Sequence, residues 1–219
     1  MRNIKLTEDG SSTLCWIEKN ETFHSIHGAI SESKHIFIEA GLDYSAQNNR
    51  VIKILEVGYG TGLNALLSSI YSIENSISLH YTALEAYPVS LEEHKILNYG
   101  ELLNSTDLFN SLFEANWEKF SEVAPGIHLC KKNIRLENFQ SDSDSYHLIY
   151  FDAFSPESQS ELWSEAIFRK LFLMMEKNAV LVTYSCKGVV KRTLKNIGFS
   201  IEKLPGPPGK REFLRATKL

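Results

Sequence analysis

From residue 50 onward the apolar positions switch repeatedly between two periods. Short runs at 51–57 (VIKILEV), 79–84 (LHYTAL), 127–131 (IHLCK), 147–151 (HLIYF), 179–185 (AVLVTYS), 198–204 and 212–217 read as strands, and helical spacing fills 62–73, 88–98, 107–121, 160–177 and 187–196. Strands separated by helix-length connections join in parallel, so the pattern predicts an α/β fold with a largely parallel sheet covered on both faces. Within 160–177, Ser160 stands where a helix cap is expected, and Trp163, Ile167, Leu171 and Met174 form one core-facing stripe. The ending, Gly198-Phe199 followed by PGPPGKREFLRATK, reads as a strand, a Pro/Gly turn and a final strand, which gives the sheet an antiparallel end. The first fifty residues do not share the alternation. Thr13–Ile17 and Thr22–Ser25 predict a small hairpin around Lys19-Asn20, and Ser31–Ala40 a short helix. Residues 1–49 are therefore expected to form an appendage or lid, and 50–219 the main domain.

Two strand ends carry chemistry. The first runs into Glu56-x-Gly58-x-Gly60-x-Gly62, a turn whose glycines reach positive φ and carry no Cβ to hold a ligand away from the backbone. A dinucleotide fingerprint places its third glycine one position later, where this chain has Leu63. The carboxylate of Glu56 suits a cationic ligand such as S-adenosylmethionine (SAM); a nicotinamide or flavin site and a ligand-free turn remain alternatives. Glu85 closes the next strand about one βαβ unit on, where an acid accepts bonds from ribose hydroxyls, its other reading being a cap on the following helix. The second junction is Phe151-Asp152-Ala153-Phe154-Ser155-Pro156. Because ligands bind outside the carboxyl ends of parallel strands, Asp152 is expected in the same crevice, as a catalytic carboxylate rather than a loop cap.

Composition changes this picture in three places. The 219 residues, 43% of them apolar, suffice for one enzyme-sized core, and the absence of a long apolar run or a signal-like N-terminus points to a cytoplasmic protein. Cys15, Cys130 and Cys186 are odd in number and widely spaced, as reduced thiols without a catalytic role would be; His24 and His27 lack partners at ligand spacing, so no metal is expected. The net charge of −4 hides an asymmetry: Lys187–Leu219 holds nine Lys/Arg against two Glu. Lys187, Lys191, Arg192 and Lys195 share a predicted helix, and Lys210 and Arg211 lie in the final turn. This is the footprint of a polyanion-binding face, or else of a solvated basic helix.

The combination of EVGYGTGLNALL, YFDAFSPESQSELW, SESKHIFIEAGLDY and PGPPGKREFL resembles the methyltransferase domain of the bacterial bifunctional tRNA-modifying enzymes of the MnmC family, in particular the stand-alone, MnmD-like form. The resemblance runs from about residue 22 to the C-terminus. It implies a Rossmann-like class I SAM-dependent methyltransferase fold with a seven-stranded sheet, and N-methylation of 5-aminomethyl-2-thiouridine at the wobble position in the anticodon stem-loop of tRNA. SAM is then the cofactor, with no metal. The fused family members add an FAD-dependent oxidase domain; with Leu219 as the last residue, that domain and FAD are expected to be absent here. Carried over by position, Glu56, Gly58, Gly60, Gly62 and Asn64 are cofactor-turn residues, Glu85 is the ribose ligand and Asp152 lies beside the reacting amine. Asn133 stands where the family often has an Asp contacting adenine; its amide oxygen still accepts that bond. Ser25, Gly28, Glu32 and Phe37 match the segment covering the site, and Lys187, Lys191, Arg192, Lys210 and Arg211 are expected to meet tRNA. The competing readings are a methyltransferase for a small free amine, a spermidine-synthase-like aminopropyl transferase, and a SAM-binding regulator or RNA-binding module without turnover.

Overall fold

A computed structural model of the chain describes residues 2–47, 49–142 and 144–219. Its centre is the strand Val51–Val57 (β4), buried on both faces from Ile54 onward, as a strand flanked by parallel neighbours must be. β4 pairs in parallel with Ser78–Leu84 (β5) on one side and Tyr146–Phe151 (β8) on the other. Ile127–Lys132 (β7) continues the sheet beyond β5, and Met175–Thr183 (β9) continues it beyond β8. Glu212–Lys218 (β11) then inserts antiparallel between β9 and Phe199–Pro205 (β10). The mostly parallel sheet with a reversed C-terminal strand is the arrangement expected from the sequence.

The sheet has eight strands, one more than the resemblance implied. The helix expected over 107–121 stops earlier: it spans Thr106–Glu114, and Phe120–Ala124 (β6) pairs antiparallel with β7 as an edge strand. Pro125-Gly126 supplies the hairpin turn, with Gly126 at φ +76°, and this local signal outweighs the helical spacing before it. The helix expected over 160–177 also divides. Ser160 opens a 3-10 turn, Ser160–Trp163, and the α-helix Glu165–Met174 is capped instead by Ser164, whose hydroxyl accepts the Ile167 N–H. Between 88 and 98 the α-helix is Leu91–Lys95, started by a Ser90/Glu93 capping box.

Side-chain parity along the strands divides the core between the two faces of the sheet. Ile54, Leu148, Tyr150 and Val182 pack with the helix Leu63–Asn75 and with a longer helix over residues 29–46, whose middle, Lys34–Asp43, is π-helical. Gly41 lets the helix pack closely at that crossing, since a Cβ there would lie 3.1 Å from Val182 and 3.2 Å from Tyr150 and would press both side chains back. Leu55, Ile149, Phe151 and Leu181 face Glu165–Met174 and Gly188–Ile197. The helix over 29–46 thus shares the main core, whereas Arg2–Leu6 (β1), Ser12–Trp16 (β2) and Glu21–Thr22 (β3) form a separate antiparallel sheet. The expected hairpin is its β2–β3 half, with Asn20 turning the chain at φ +51°. The three cysteines are free, and among the described residues no helix is long and apolar enough to cross a membrane.

Phe168 is fully buried, 5.0 Å from the Phe151 ring and 6.2 Å from Trp163. Phe168→Ala should cost about 3–5 kcal/mol of unfolding free energy, read as a lower midpoint in urea denaturation; a change under about 1 kcal/mol would mean that this face repacks without a cavity.

Candidate active site

The direction of the strand connections reverses between β4 and β8: from β4 the chain builds outward through β5 and β7, and from β8 through β9. A crevice opens at such a point because the two following loops leave on opposite sides. Here it is a cavity of about 500 Å³ lined by the turn after β4, the ends of β5 and β8, and the segment 19–26 arching over them.

The turn is pinned on both sides. The Gly58 and Tyr59 N–H groups both donate to the Leu84 carbonyl at 3.0 Å, and the Asp152 N–H donates to the Val57 carbonyl at 3.0 Å. Gly58 sits at φ +89°, where a Cβ would lie 2.5 Å from the Asp152 carbonyl oxygen, so only glycine allows β4 and β8 to end this close together. The Gly60 N–H donates to the Glu85 carboxylate at 2.8 Å, and the same carboxylate accepts the Tyr87 N–H at 2.8 Å. Glu85 therefore faces the crevice in a fixed orientation. Gly62 serves the turn alone, its missing Cβ making room for the Tyr59 hydroxyl.

Glu56 and Asn64 lie behind the crevice wall. The Asn64 amide donates to Glu56 at 3.0 Å and to Asp152 at 2.9 Å, so one side chain bridges two carboxyl groups. Glu56 is fully buried, which pushes its carboxyl well above the usual carboxylate range despite the Asn64 bond, and it does not line the crevice. Direct contact between Glu56 and a cationic ligand, the expectation from the sequence, is not what the fold provides. Asp152 does line the crevice. Burial, reinforced by the nearby charge of Glu32, pushes its carboxyl up to about 7, while the Asn64 bond and Lys210 act in the opposite direction.

Glu32, only 6% exposed, accepts the Ser25 N–H at 2.6 Å and forms an ion pair with Lys210, whose ammonium lies 4.2 Å from the Tyr184 ring centroid. Ser25, Glu32 and Phe37 line the crevice as expected. Lys210 does too, as an internal clamp between the N-terminal segment and the final turn, so it is not a free cation for phosphate. Gly28 is buried outside the crevice, shaping the start of the helix where a Cβ would strike the Asp9 carboxylate. Asn133 is exposed and off the crevice wall, its N–H bound to Glu118 at 2.9 Å, while Ile134, Arg135 and Leu136 form that part of the lining. Lys187 is paired with Glu157 on the surface. Lys191, Arg192 and Arg211 lie away from the crevice and, among the described residues, form no ion pair; Lys191 and Arg211 lie in the field of Glu212.

Several lining residues were not singled out from the sequence. Tyr184, just past the end of β9, occupies a position equivalent to Asp152 after β8, and the strand-end rule could have found it. Its hydroxyl donates to the Ala153 carbonyl at 2.9 Å. His24, considered only with His27 as a metal pair, bonds the Thr61 hydroxyl at 2.8 Å and is neutral at pH 7, burial holding it down to about 4. Glu21 accepts the Ser155 N–H at 3.2 Å and the hydroxyls of Ser155 and Ser158, fastening the arching segment across the mouth. No local sequence signal marks that long-range contact.

The profile of a family described as S-adenosyl-L-methionine-dependent methyltransferase matches residues 109–219, half of the chain. The tRNA 5-methylaminomethyl-2-thiouridine biosynthesis bifunctional protein MnmC of Burkholderia multivorans is 30% identical over 229 residues, covering 96% of this chain and 34% of that protein. The chain thus spans about a third of the length of the curated relatives it matches. In fold it is similar to MnmC2 from Aquifex aeolicus, with a TM-score of 0.79 and 23% identity over 99% of this chain and 69% of the other. Spermidine synthase from Thermotoga maritima shares the fold at a TM-score of 0.63 and 12% identity, over 100% of this chain and 69% of the other.

A carboxyl whose pKa is raised in the folded state favours folding while protonated; that contribution is whole below about pH 4 and is lost as pH rises through the folded value. Asp152, raised to about 7, loses its share of stability as pH climbs from 4 to 7; Glu56, also raised by burial, acts in the same sense, and His24, held down to about 4, in the opposite one. Asp152→Asn should therefore make the urea midpoint fall less, or rise more, with pH across this range than it does in the wild type. An identical pH dependence in the two proteins would leave Asp152 with no such contribution.

Proposed function

The chain belongs to the S-adenosyl-L-methionine-dependent methyltransferase family, and on that premise we propose that it methylates the exocyclic amine of 5-aminomethyl-2-thiouridine at the tRNA wobble position, giving the methylaminomethyl product. The observation that carries this reading is a half-buried carboxylate, Asp152, in one crevice with a Cβ-free turn and Glu85, in a chain whose matched relative is a tRNA 5-methylaminomethyl-2-thiouridine biosynthesis protein. The residues fit the cofactor chemically: Gly58 and Gly60 leave the backbone accessible, Glu85 offers oriented acceptor oxygens for a ribose diol, and Ala86, Ile134 and Leu136 provide an apolar wall for a base. A tRNA substrate places the activity in the cytoplasm.

Bound SAM supplies an activated methyl group, so the protein's part is to align the acceptor and manage its proton. Asp152, fixed by Asn64, accepts a hydrogen bond from the amine and orients its lone pair; as the N–C bond forms and the C–S bond breaks, the carboxylate balances the charge developing on nitrogen and takes up the proton. A carboxyl titrating near 7 is matched to that task. Tyr184 and the Lys210–Glu32 pair wall the same side, and closure of 19–26 over the mouth excludes water. Lys191, Arg192 and Arg211 supply phosphate contacts outside it.

Mass spectrometry of wobble nucleosides from tRNA bearing the aminomethyl group, incubated with protein and SAM, should show a gain of one methyl on that nucleoside. Asp152→Ala should lower kcat by about tenfold to a hundredfold with little change in SAM affinity, and kcat/KM of the wild type should rise with pH through about 7 as Asp152 ionises. Methylation at the wild-type rate by the variant would move the role to another group.

Replacing Lys191 and Arg192 together by Ala should weaken tRNA binding and reduce the slope of log K against log salt by about one unit per lost contact, leaving SAM affinity unchanged. A small-amine substrate, as in aminopropyl transfer, would give no such slope in the wild type.

A further inference from the structure

At the crevice mouth three aromatic rings from three separate elements meet around a cation. Trp16 comes from the end of β2, Tyr87 lies two residues beyond Glu85, and Phe154 lies two residues beyond Asp152. Tyr87 stands edge-on to Trp16 at 5.2 Å and 80°, and Phe154 at 5.7 Å and 76°, so the rings form the sides of an open box instead of a flat stack. Lys19 is folded back into it by the left-handed turn at Asn20, with its ammonium 4.6 Å from the Trp16 centroid, 5.4 Å from Phe154 and 5.9 Å from Tyr87. Among the described residues Lys19 has no ion pair. Arg135 completes the rim, donating to the Tyr87 hydroxyl at 2.8 Å and lying 5.8 Å from its ring. Tyr87 remains 39% exposed.

Trp16 and Phe154 are half-buried and Tyr87 is exposed; of the cations on these rings Arg2, 5.7 Å from the Trp16 centroid, is paired with Glu93, while Lys19 and Arg135 form no ion pair among the described residues. Accessible rings beside such cations form a surface for a π-face joined to an anion, the pairing presented by single-stranded nucleic acid. The C-terminal segment is less open than its charge implies: Lys187, Lys203, Lys210, Arg215 and Lys218 are all paired with acids. We propose that the Trp16–Tyr87–Phe154 box stacks a nucleobase flanking the acceptor uridine, with Lys19 leaving the box to meet that nucleotide's phosphate. This rests on the tRNA reading above and adds to it a second base site. Phe154 and Asp152 share one short loop, so a base seated in the box and the acceptor amine are held in register by the same backbone.

The test uses the full chain, SAM and an anticodon stem-loop carrying the aminomethyl uridine, intact or with an abasic residue on one side of the acceptor or the other. For the wild type, one of the two abasic positions should raise KM by about tenfold. Trp16→Ala should raise KM on the intact stem-loop by a similar factor, show no further rise with that abasic substrate and keep its SAM affinity by calorimetry; Trp16→Phe should restore most of the loss. Tyr87→Leu, at an exposed position, gives the same comparison should Trp16→Ala fail to fold. Equal KM for the intact and both abasic substrates, additive effects of variant and abasic site, or a parallel loss of SAM affinity would overturn the base site while leaving the tRNA reading in place. Absence of methylation of the intact stem-loop by the wild type would remove that reading itself; quenching of wild-type tryptophan fluorescence by the stem-loop no greater than that in Trp16→Phe would then remove the box as well.

Discussion

The closeness of β4 and β8 at their carboxyl ends is the constraint on which the site depends. The Asp152 N–H is bound to the Val57 carbonyl, and the residue after β4, Gly58, has its backbone where any Cβ would strike the Asp152 carbonyl oxygen. The glycine turn proposed to receive the cofactor and the loop that presents the carboxylate are therefore one rigid unit. Tyr59 and Gly58, both bonded to Leu84, add β5 to that unit, and the Gly60–Glu85 bond carries the rigidity to the crevice mouth. Positioning on adjacent parallel strands is what methyl transfer from an already activated donor asks of a protein.

Burial and charge act against each other across the same few residues. Glu56, with no exposure, has its carboxyl pushed well up by burial behind the wall; Asp152 meets the crevice, and Asn64 donates to both. A carboxyl pushed up behind the wall and one titrating near 7 in front leave Asp152 as the carboxyl that titrates on the crevice side. Glu32 raises Asp152 further and Lys210 lowers it, so the ion pair clamping the N-terminal segment to the final turn also tunes the carboxylate. The pair that clamps the N-terminal segment to the final turn is thus also part of the electrostatic field on Asp152.

The distribution of charge gains a different meaning once the chain is folded. Nine cations in the last thirty-odd residues look like a single binding face, yet the pairs to Glu157, Glu212, Glu32, Glu202 and Asp144 use five of them to hold the C-terminal strands and turn. Lys191, Arg192, Lys195 and Arg211 remain on that side, while Lys19 and Arg135, unremarkable in the sequence, stand at the crevice mouth among aromatic rings.

What the sequence by itself determined is what local interactions decide. The apolar period marks the central strands, the glycines mark a turn that needs positive φ, and an acid directly after a parallel strand points into the crevice because strand ends converge there; Glu85 and Asp152 were legible for those reasons. The Pro125-Gly126 turn was also present, though the helical spacing before it concealed β6. The tertiary structure alone decided which groups meet across long stretches of chain: Glu56 with Asp152 through Asn64, Glu32 with Lys210, Glu21 with Ser155, and Trp16 with Tyr87 and Phe154. Such pairs leave no periodic trace in the sequence, because their partners lie on different elements and are brought together only when the apolar faces of those elements are buried.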